Sequence, residues 1–233
     1  MKIYYLLHIV LFLEFLAVAS GLYYLSKKKN AEKWNKYFVW FLCITFLTEF
    51  FALYAVIAYY TDYNYFSFIK DTPFQRNIWM YNPLIIGEFV FLPLYFRSQM
   101  SKPLFRQIIL LLCAVYFTAA VSHNIFSDTF FNNYSSVGLS LGSIVLIVSI
   151  LLFYIEILRS DKILNLKYYL PFYFSIGAGI FHLCMTPLFL FSKYFNQQNE
   201  LFVEYYSYIL SFANVFLYSL YTISFFICLR DRK

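Results

Sequence analysis

Ionisable or amide side chains lie near the centres of five different apolar stretches of this chain. They are Glu14, Glu49, Glu88, His182 and Asn214. A charged side chain at the centre of a bilayer costs roughly 2.5–3.5 kcal/mol on insertion scales, so such residues are rare in spans and indicate functional sites. Carboxylates and an imidazole at a common depth are suited to binding a proton, a metal ion or a cationic ligand.

Tyrosines extend these positions into polar stripes. Tyr81, Glu88 and Tyr95 follow one another at seven-residue spacing, which places them on one helical face. Similar stripes pass through His182 in the sixth stretch and Tyr218 in the seventh. Unsatisfied polar groups cost several kcal/mol in hydrocarbon, so these faces should contact protein or water. The sequence therefore predicts a ligand- or proton-binding site formed by Glu14, Glu49, Glu88, His182, Asn214, Tyr81, Tyr95 and Tyr218.

Three carboxylates that converge at one depth cannot all be ionised unless a positive partner relieves their repulsion. That partner would be a bound proton, a metal ion, a cationic ligand or His182 in its charged form. With one histidine at this depth, the identity of any metal or cofactor stays open, and no residue is assigned a catalytic role. The alternative is structural: each protonated glutamic acid would be hydrogen-bonded to a neighbour and hold helices in register.

The composition excludes a soluble domain. Hydrophobic residues make up 62% of the 233 residues and charged residues only 13%, about half the charged fraction of soluble domains. Seven apolar stretches reach the length of about 20 residues that a membrane helix needs. They are 3–25, 37–60, 79–96, 107–126, 136–158, 169–192 and 201–229. We therefore predict an all-α polytopic membrane protein with seven transmembrane helices in a single domain, 1–233.

The distribution of basic residues predicts the orientation, because cytoplasmic loops are enriched in lysine and arginine. Fourteen of the 18 follow the first, third, fifth and seventh stretches: Lys27, Lys28, Lys29, Lys33, Lys36, Arg97, Lys102, Arg106, Arg159, Lys162, Lys167, Arg230, Arg232 and Lys233. The other four are Lys2, Lys70, Arg76 and Lys193. The amino terminus should lie outside and the carboxyl terminus in the cytoplasm, with the chain in a bacterial cytoplasmic (inner) membrane. The net charge of +6 then reflects topology and attraction to anionic lipids, and not nucleic-acid binding.

The start of the chain allows a second interpretation. Lys2, an apolar run and Ala17-Val18-Ala19 imitate a cleavable signal peptide. Glu14 would interrupt the apolar core of such a signal, and the apolar run continues through Leu25 before a cluster of lysines. A retained first helix is therefore the prediction. Cleavage would instead leave six helices and remove Glu14.

Prolines and small residues indicate where the helices bend and touch. The third stretch contains Pro83 and Pro93, and the sixth contains Pro171 and Pro187. The third and sixth helices are therefore expected to be kinked and to move. Close helix contact is expected at two small-residue pairs, which are Gly138 with Gly142 and Ser175 with Gly179. The cysteines fall in four different helices without a CxxC pair and are expected to be buried, apolar-like residues. They are Cys43, Cys113, Cys184 and Cys228.

Three known classes of membrane protein can be tested against these features. A microbial-rhodopsin-like retinal protein is excluded, because 201–229 contains no lysine for the Schiff base. A three-plus-one-plus-three sugar-type transporter has the right length and orientation. The two halves of such a transporter should, however, carry helix breakers at equivalent positions. Here the prolines lie in the third and sixth stretches, which are not equivalent positions in the two halves. A ceramidase-like hydrolase needs several histidines with serine and aspartate, and no aspartate lies in an apolar stretch.

The run Trp79-Met80-Tyr81-Asn82 followed by Glu88, within seven short-looped helices, resembles small uncharacterised bacterial seven-helix membrane proteins. The outline is also similar to the seven-helix sensor modules that precede histidine kinases. That resemblance implies a receptor or sensor of a small or lipophilic ligand, or of a proton, that signals through a separate cytoplasmic or membrane partner. A small-molecule or proton-coupled transporter is the alternative, and an intramembrane enzyme ranks third.

Overall fold

The fold is all-α, with no strand in the part of the chain that the structure describes. The computed structural model describes residues 2–191 and 200–230, and the side-chain surroundings of residues 8–188 and 204–230. The α-helices are α1 (Lys2–Lys27), α2 (Lys33–Tyr60), α3 (Ile78–Ser98), α4 (Pro103–Phe126), the single turn α5 (Thr129–Asn132), α6 (Ser136–Ile157), α7 (Leu170–Phe191) and α8 (Glu200–Leu229). Three of the basic residues used for orientation, Lys193, Arg232 and Lys233, lie outside the described residues.

The seven long helices match the seven predicted stretches to within four residues at each end. Local signals in the polar flanks set several of the helix ends. Pro103 occupies the first turn of α4. Backbone N–H groups in the first turn have no acceptor within the helix, so a proline costs no hydrogen bond there. The Ser135 hydroxyl caps α6 by accepting a 3.0 Å hydrogen bond from the amide of Gly138, as helix N-caps commonly do.

Six helices among the described residues are long and apolar enough to cross a bilayer, namely α1, α2, α3, α4, α6 and α8. This is the pattern of a multi-pass membrane protein. The predicted sixth stretch, now α7, is not among these six, and the residues at its end, from 189 on, lie outside those whose side-chain surroundings are described.

Six of the long helices close into a ring. α1 packs between α2 and α8, α3 packs on α2 and α6, and α7 joins α6 to α8. α4 lies outside this ring, against α3 and α6. On one side of the ring centre, the buried Phe38 ring on α2 stacks on Phe174 of α7, with ring centroids 3.7 Å apart. Tyr221 of α8 meets both rings edge-on, so aromatic packing holds α2, α7 and α8 together there.

Polar contacts tie the connections at both ends of the bundle. At the lysine-rich end, Nζ of Lys162 donates to the Gln99 carbonyl over 2.7 Å, and Glu156 accepts from the backbone amides of Ser101 and Lys102. Glu156 thereby satisfies amides just before α4, which would otherwise lack partners.

At the opposite end, the buried Asn82 of α3 holds the segment after α4. Its Nδ2 donates to the carbonyls of Phe130 and Asn133 at 3.0 and 3.1 Å, and its Oδ1 accepts from the Ser135 amide. Because an Asn side chain has two donors and one carbonyl acceptor, a single residue anchors the whole turn from α4 to α6.

The cysteines form no disulfide within the described residues. Cys113 and Cys228 are buried, as predicted, whereas Cys43 is half-buried and Cys184 is exposed. The prediction of buried cysteines is therefore wrong for Cys184, whose position on α7 faces outward from the ring.

Candidate functional site at the centre of the bundle

The three central glutamates lie within electrostatic range of one tyrosine. Glu14 of α1, Glu49 of α2 and Glu88 of α3 all interact electrostatically with Tyr218 of α8, with Glu14 contributing most. Glu14 interacts in the same way with Glu49, and Glu49 with Glu88. The sequence left open whether these carboxylates lie near one another, and the fold places all three within range of Tyr218.

Small residues on α1 permit this approach. Ala17 is fully buried one turn after Glu14. A Cβ at Gly21 would lie only 3.0 Å from the Val39 side chain of α2 and 3.2 Å from Phe225 of α8. Because α1 contacts α2 and α8 at Gly21, which has no side chain, the α1 backbone packs close to both helices. Glu14 therefore lies near α8.

Glu49 is held by a tyrosine of the next helix. The Tyr81 hydroxyl donates to Oε2 of Glu49 over 2.6 Å, a short distance typical of a hydrogen bond to a carboxylate. The Tyr134 ring, just before α6, packs edge-on against Tyr81 with centroids 6.0 Å apart and lies within electrostatic reach of Glu49. Tyr81 thus binds the Glu49 carboxylate directly, and Tyr134 packs behind Tyr81.

Glu88 contacts the only central histidine of the described helices. Nε2 of His182 on α7 lies 3.3 Å from Oε1 of Glu88. The imidazole is nearly sealed, with a side-chain exposure of 4%, whereas the Glu88 side chain is 28% exposed. Phe89 packs on the imidazole with ring centroids 4.8 Å apart. Gly142 of α6 makes room for that ring, because a Cβ at Gly142 would collide with Phe89.

Three buried polar atoms around this cluster have no hydrogen-bond partner among the described residues. They are Oε2 of Glu14, Nδ1 of His182 and the Tyr116 hydroxyl. Tyr116, on α4, lies within electrostatic reach of Glu88. Buried polar groups in native proteins are almost always paired, so these atoms have hydrogen-bonding capacity that the described residues do not use.

Not every predicted residue joins the cluster. The Tyr95 hydroxyl donates instead to Oδ1 of Asn35 on α2 over 2.7 Å, and both side chains are buried. The amide of Asn214 donates to the Leu210 carbonyl of its own helix. Ser175 donates to the Tyr154 hydroxyl. The described contacts of these side chains serve to pack helices, and the central group consists of Glu14, Glu49, Glu88, His182, Tyr81 and Tyr218.

Two tyrosines next to the group were not predicted. Tyr116 lies near the centre of α4, so the criterion that selected the glutamates, a polar residue at mid-helix, would also have selected it. Tyr134 lies before α6 in a connecting segment, and no periodic pattern points to it. Its place beside Tyr81 depends on how Asn82 anchors that segment to α3.

The chemistry of the group is acidic and aromatic. It combines three carboxylates, one imidazole and several tyrosine hydroxyls, and no lysine or arginine lies near the centre of any long helix. Among the described residues, no three His, Cys, Asp or Glu side chains are close enough together to hold a metal ion. The arrangement is therefore suited to a proton or an organic cation, either of which would relieve repulsion between the carboxylates.

No protein-family model matches this chain, and neither a curated protein nor a solved structure matches it.

Proposed function

We propose that this chain is a seven-span receptor of the bacterial cytoplasmic membrane. In this proposal the central group binds a proton or a small lipophilic cation, and the response passes to a separate partner at the cytoplasmic face. α7 counts as the seventh span, because its His182 contacts Glu88 at the centre of a membrane-spanning ring. Its 22 residues extend over about 33 Å, enough for a hydrocarbon core of about 30 Å.

The orientation follows from the ends of the helices. The connections α1–α2, α3–α4 and α6–α7 lie at one end of the bundle and hold most of the basic residues. By the enrichment of lysine and arginine in cytoplasmic loops, that end faces the cytoplasm. The amino terminus and the connection between α2 and α3 then lie outside.

One contact supports a receptor in particular. The 3.3 Å contact between Glu88 and His182 joins α3 and α7, and these are the two helices with prolines in their interiors. Each such proline removes a helix hydrogen bond, which lowers the cost of bending. A proton or cation that changes the charge of this pair would therefore change the contact between the two helices best able to move.

Distance measurements in a bilayer test this proposal. In a background in which the four cysteines are replaced by serine, spin labels at Ser101→Cys and Lys167→Cys report the separation of α3 and α7 at the lysine-rich end. Acidification or addition of a lipophilic amine should change that distance by about 2 Å or more, the scale of helix shifts in known switches. A distance that stays constant under both stimuli would contradict the receptor.

A proton-coupled transporter is the second candidate, favoured by where the site lies. The ring consists of two sets of consecutive helices, α1 to α3 and α6 to α8, in contact along α3–α6 and α1–α8. Glu14, Glu49 and Glu88 belong to the first set, and His182 and Tyr218 to the second. Many carriers bind substrate at the midplane between two such halves.

Proteoliposomes distinguish the two candidates. A receptor should show the distance change without proton flux down an imposed pH gradient. A transporter should carry protons or a labelled amine, and Glu88→Gln should abolish that flux. Flux that is lost in Glu88→Gln but retained in the exposed-site control Glu204→Gln would replace the receptor by the transporter.

A further inference from the structure

A groove of about 760 Å³ runs along the outside of the ring between α3 and α4. Its α3 wall includes Pro83 and Gly87, and its α4 wall runs from Phe117 to Ile125. Phe117 is 50% exposed and Ile125 is 70% exposed, so the groove opens toward the lipid and not into the ring. Its volume lies within the range of known ligand sites.

The groove owes its depth to one glycine. Apart from its chain neighbours and the backbone of α3 itself, no heavy atom lies within 4 Å of the position that a Cβ would take at Gly87. The α3 backbone therefore forms the floor at the centre of the helix, next to Glu88. A side chain at Gly87 would enter the groove.

The length of the groove matches one leaflet of a bilayer. From Phe117 to Ile125 the α4 wall advances eight residues, or about 12 Å at 1.5 Å per residue. Half of a hydrocarbon core of about 30 Å is about 15 Å. The groove thus runs from the midplane to the interface beside the α4–α5 turn, as an acyl chain in that leaflet does.

Two side chains of opposite charge lie at the interfacial end. Asp128 lines the groove there. Arg76 is tied to the same segment, since its Nη1 donates to the Asn132 carbonyl over 3.2 Å, and Asn132 in turn donates to the Asp128 carbonyl. Both charged side chains are exposed, and neither forms an ion pair with a described residue.

We propose that this groove binds one acyl chain of a zwitterionic phospholipid, whose phosphate contacts Arg76 and whose ammonium group contacts Asp128. Arginine binds phosphate oxygens through charge-assisted hydrogen bonds, and basic residues at the interface attract lipid headgroups. This site is separate from the central group and does not depend on the receptor proposal.

Native mass spectrometry tests the lipid site. Protein reconstituted in a bilayer of equal parts phosphatidylethanolamine and phosphatidylglycerol and then released should retain one phosphatidylethanolamine in preference to phosphatidylglycerol. Gly87→Leu should lose it, whereas Ala114→Leu should keep it, because Ala114 is exposed on α4 and does not line the groove. Arg76→Gln should lower retention about five-fold, as expected for one basic contact at the interface.

Retention in Gly87→Leu equal to that in the wild-type protein would overturn the site, and equal retention of both lipids would overturn the headgroup contacts. A photoreactive acyl chain gives an independent measurement that needs no folded variant. Adducts should map to residues 83–87 and 117–125 of the wild-type chain. Adducts confined to other helices would also overturn the proposal.

Discussion

The Tyr81 hydroxyl donates a 2.6 Å hydrogen bond to Oε2 of Glu49 and thereby joins α3 to α2 near the bundle centre. This bond should be measurable as a coupling free energy. We would measure it in a double-mutant cycle of Tyr81→Phe and Glu49→Ala by unfolding in mixed micelles. The expected coupling free energy is about 1–2 kcal/mol, as is typical of hydrogen bonds to charged acceptors and of polar contacts between membrane helices. Tyr65→Phe is the matched control, because Tyr65 is 78% exposed and should show no coupling to Glu49→Ala. A cycle that closes with no coupling for Tyr81 would mean that the bond does not form in the bilayer.

Glu88→Gln should separate function from stability. The amide keeps the shape of the side chain and an acceptor for His182 but removes the negative charge. We expect the free energy of unfolding to stay within about 1 kcal/mol of the wild-type value and the acid- or amine-induced distance change between α3 and α7 to be lost. Glu204→Gln should leave that response intact, because Glu204 is exposed and bonds Tyr208 of its own helix. A wild-type response from the combined Glu14, Glu49 and Glu88 to Gln variant would rule out the central group as the site.

Gly87 of α3 and Gly142 of α6 should respond differently to an added methyl group. Gly142→Ala forces Phe89 away from His182, so we expect destabilisation by about 1–3 kcal/mol, the usual cost of overpacking. Gly87→Ala meets open space and should be neutral, or stabilising by up to about 1 kcal/mol from helix propensity. Unfolding titrations of both variants provide the comparison, and equal effects would show that α6 does not press on Phe89 as described.

The orientation can be decided by cysteine accessibility. With the native cysteines replaced, Lys29→Cys should react with a membrane-impermeant maleimide only after the cells are permeabilised, whereas Tyr65→Cys should react in intact cells. Both positions are exposed, so access depends on the side of the membrane and not on burial. Reaction at position 29 in intact cells would reverse the proposed topology.

Much of the fold was predictable because hydropathy and helix ends are local properties. The apolar stretches become the long helices, and Pro103 and Ser135 determine where α4 and α6 begin. Position along a helix was also predictable, since it depends only on where an apolar stretch begins and ends. For that reason the choice of Glu14, Glu49, Glu88 and His182 required no tertiary information.

The partners of those side chains were not predictable. Tyr95 shares a helical face with Glu88, yet it bonds Asn35, because seven residues also move it about 10 Å along the helix axis. The placement of three glutamates within electrostatic range of Tyr218 and the contact of Glu88 with His182 depend on the order in which the helices close the ring. That order is decided by side-chain packing between distant segments, as at Gly21 against Val39 and Gly142 against Phe89. The hydropathy of a single helix contains no information about such packing. The sequence alone thus determined which polar residues lie near the middles of the long helices, and the tertiary structure decided which of them interact.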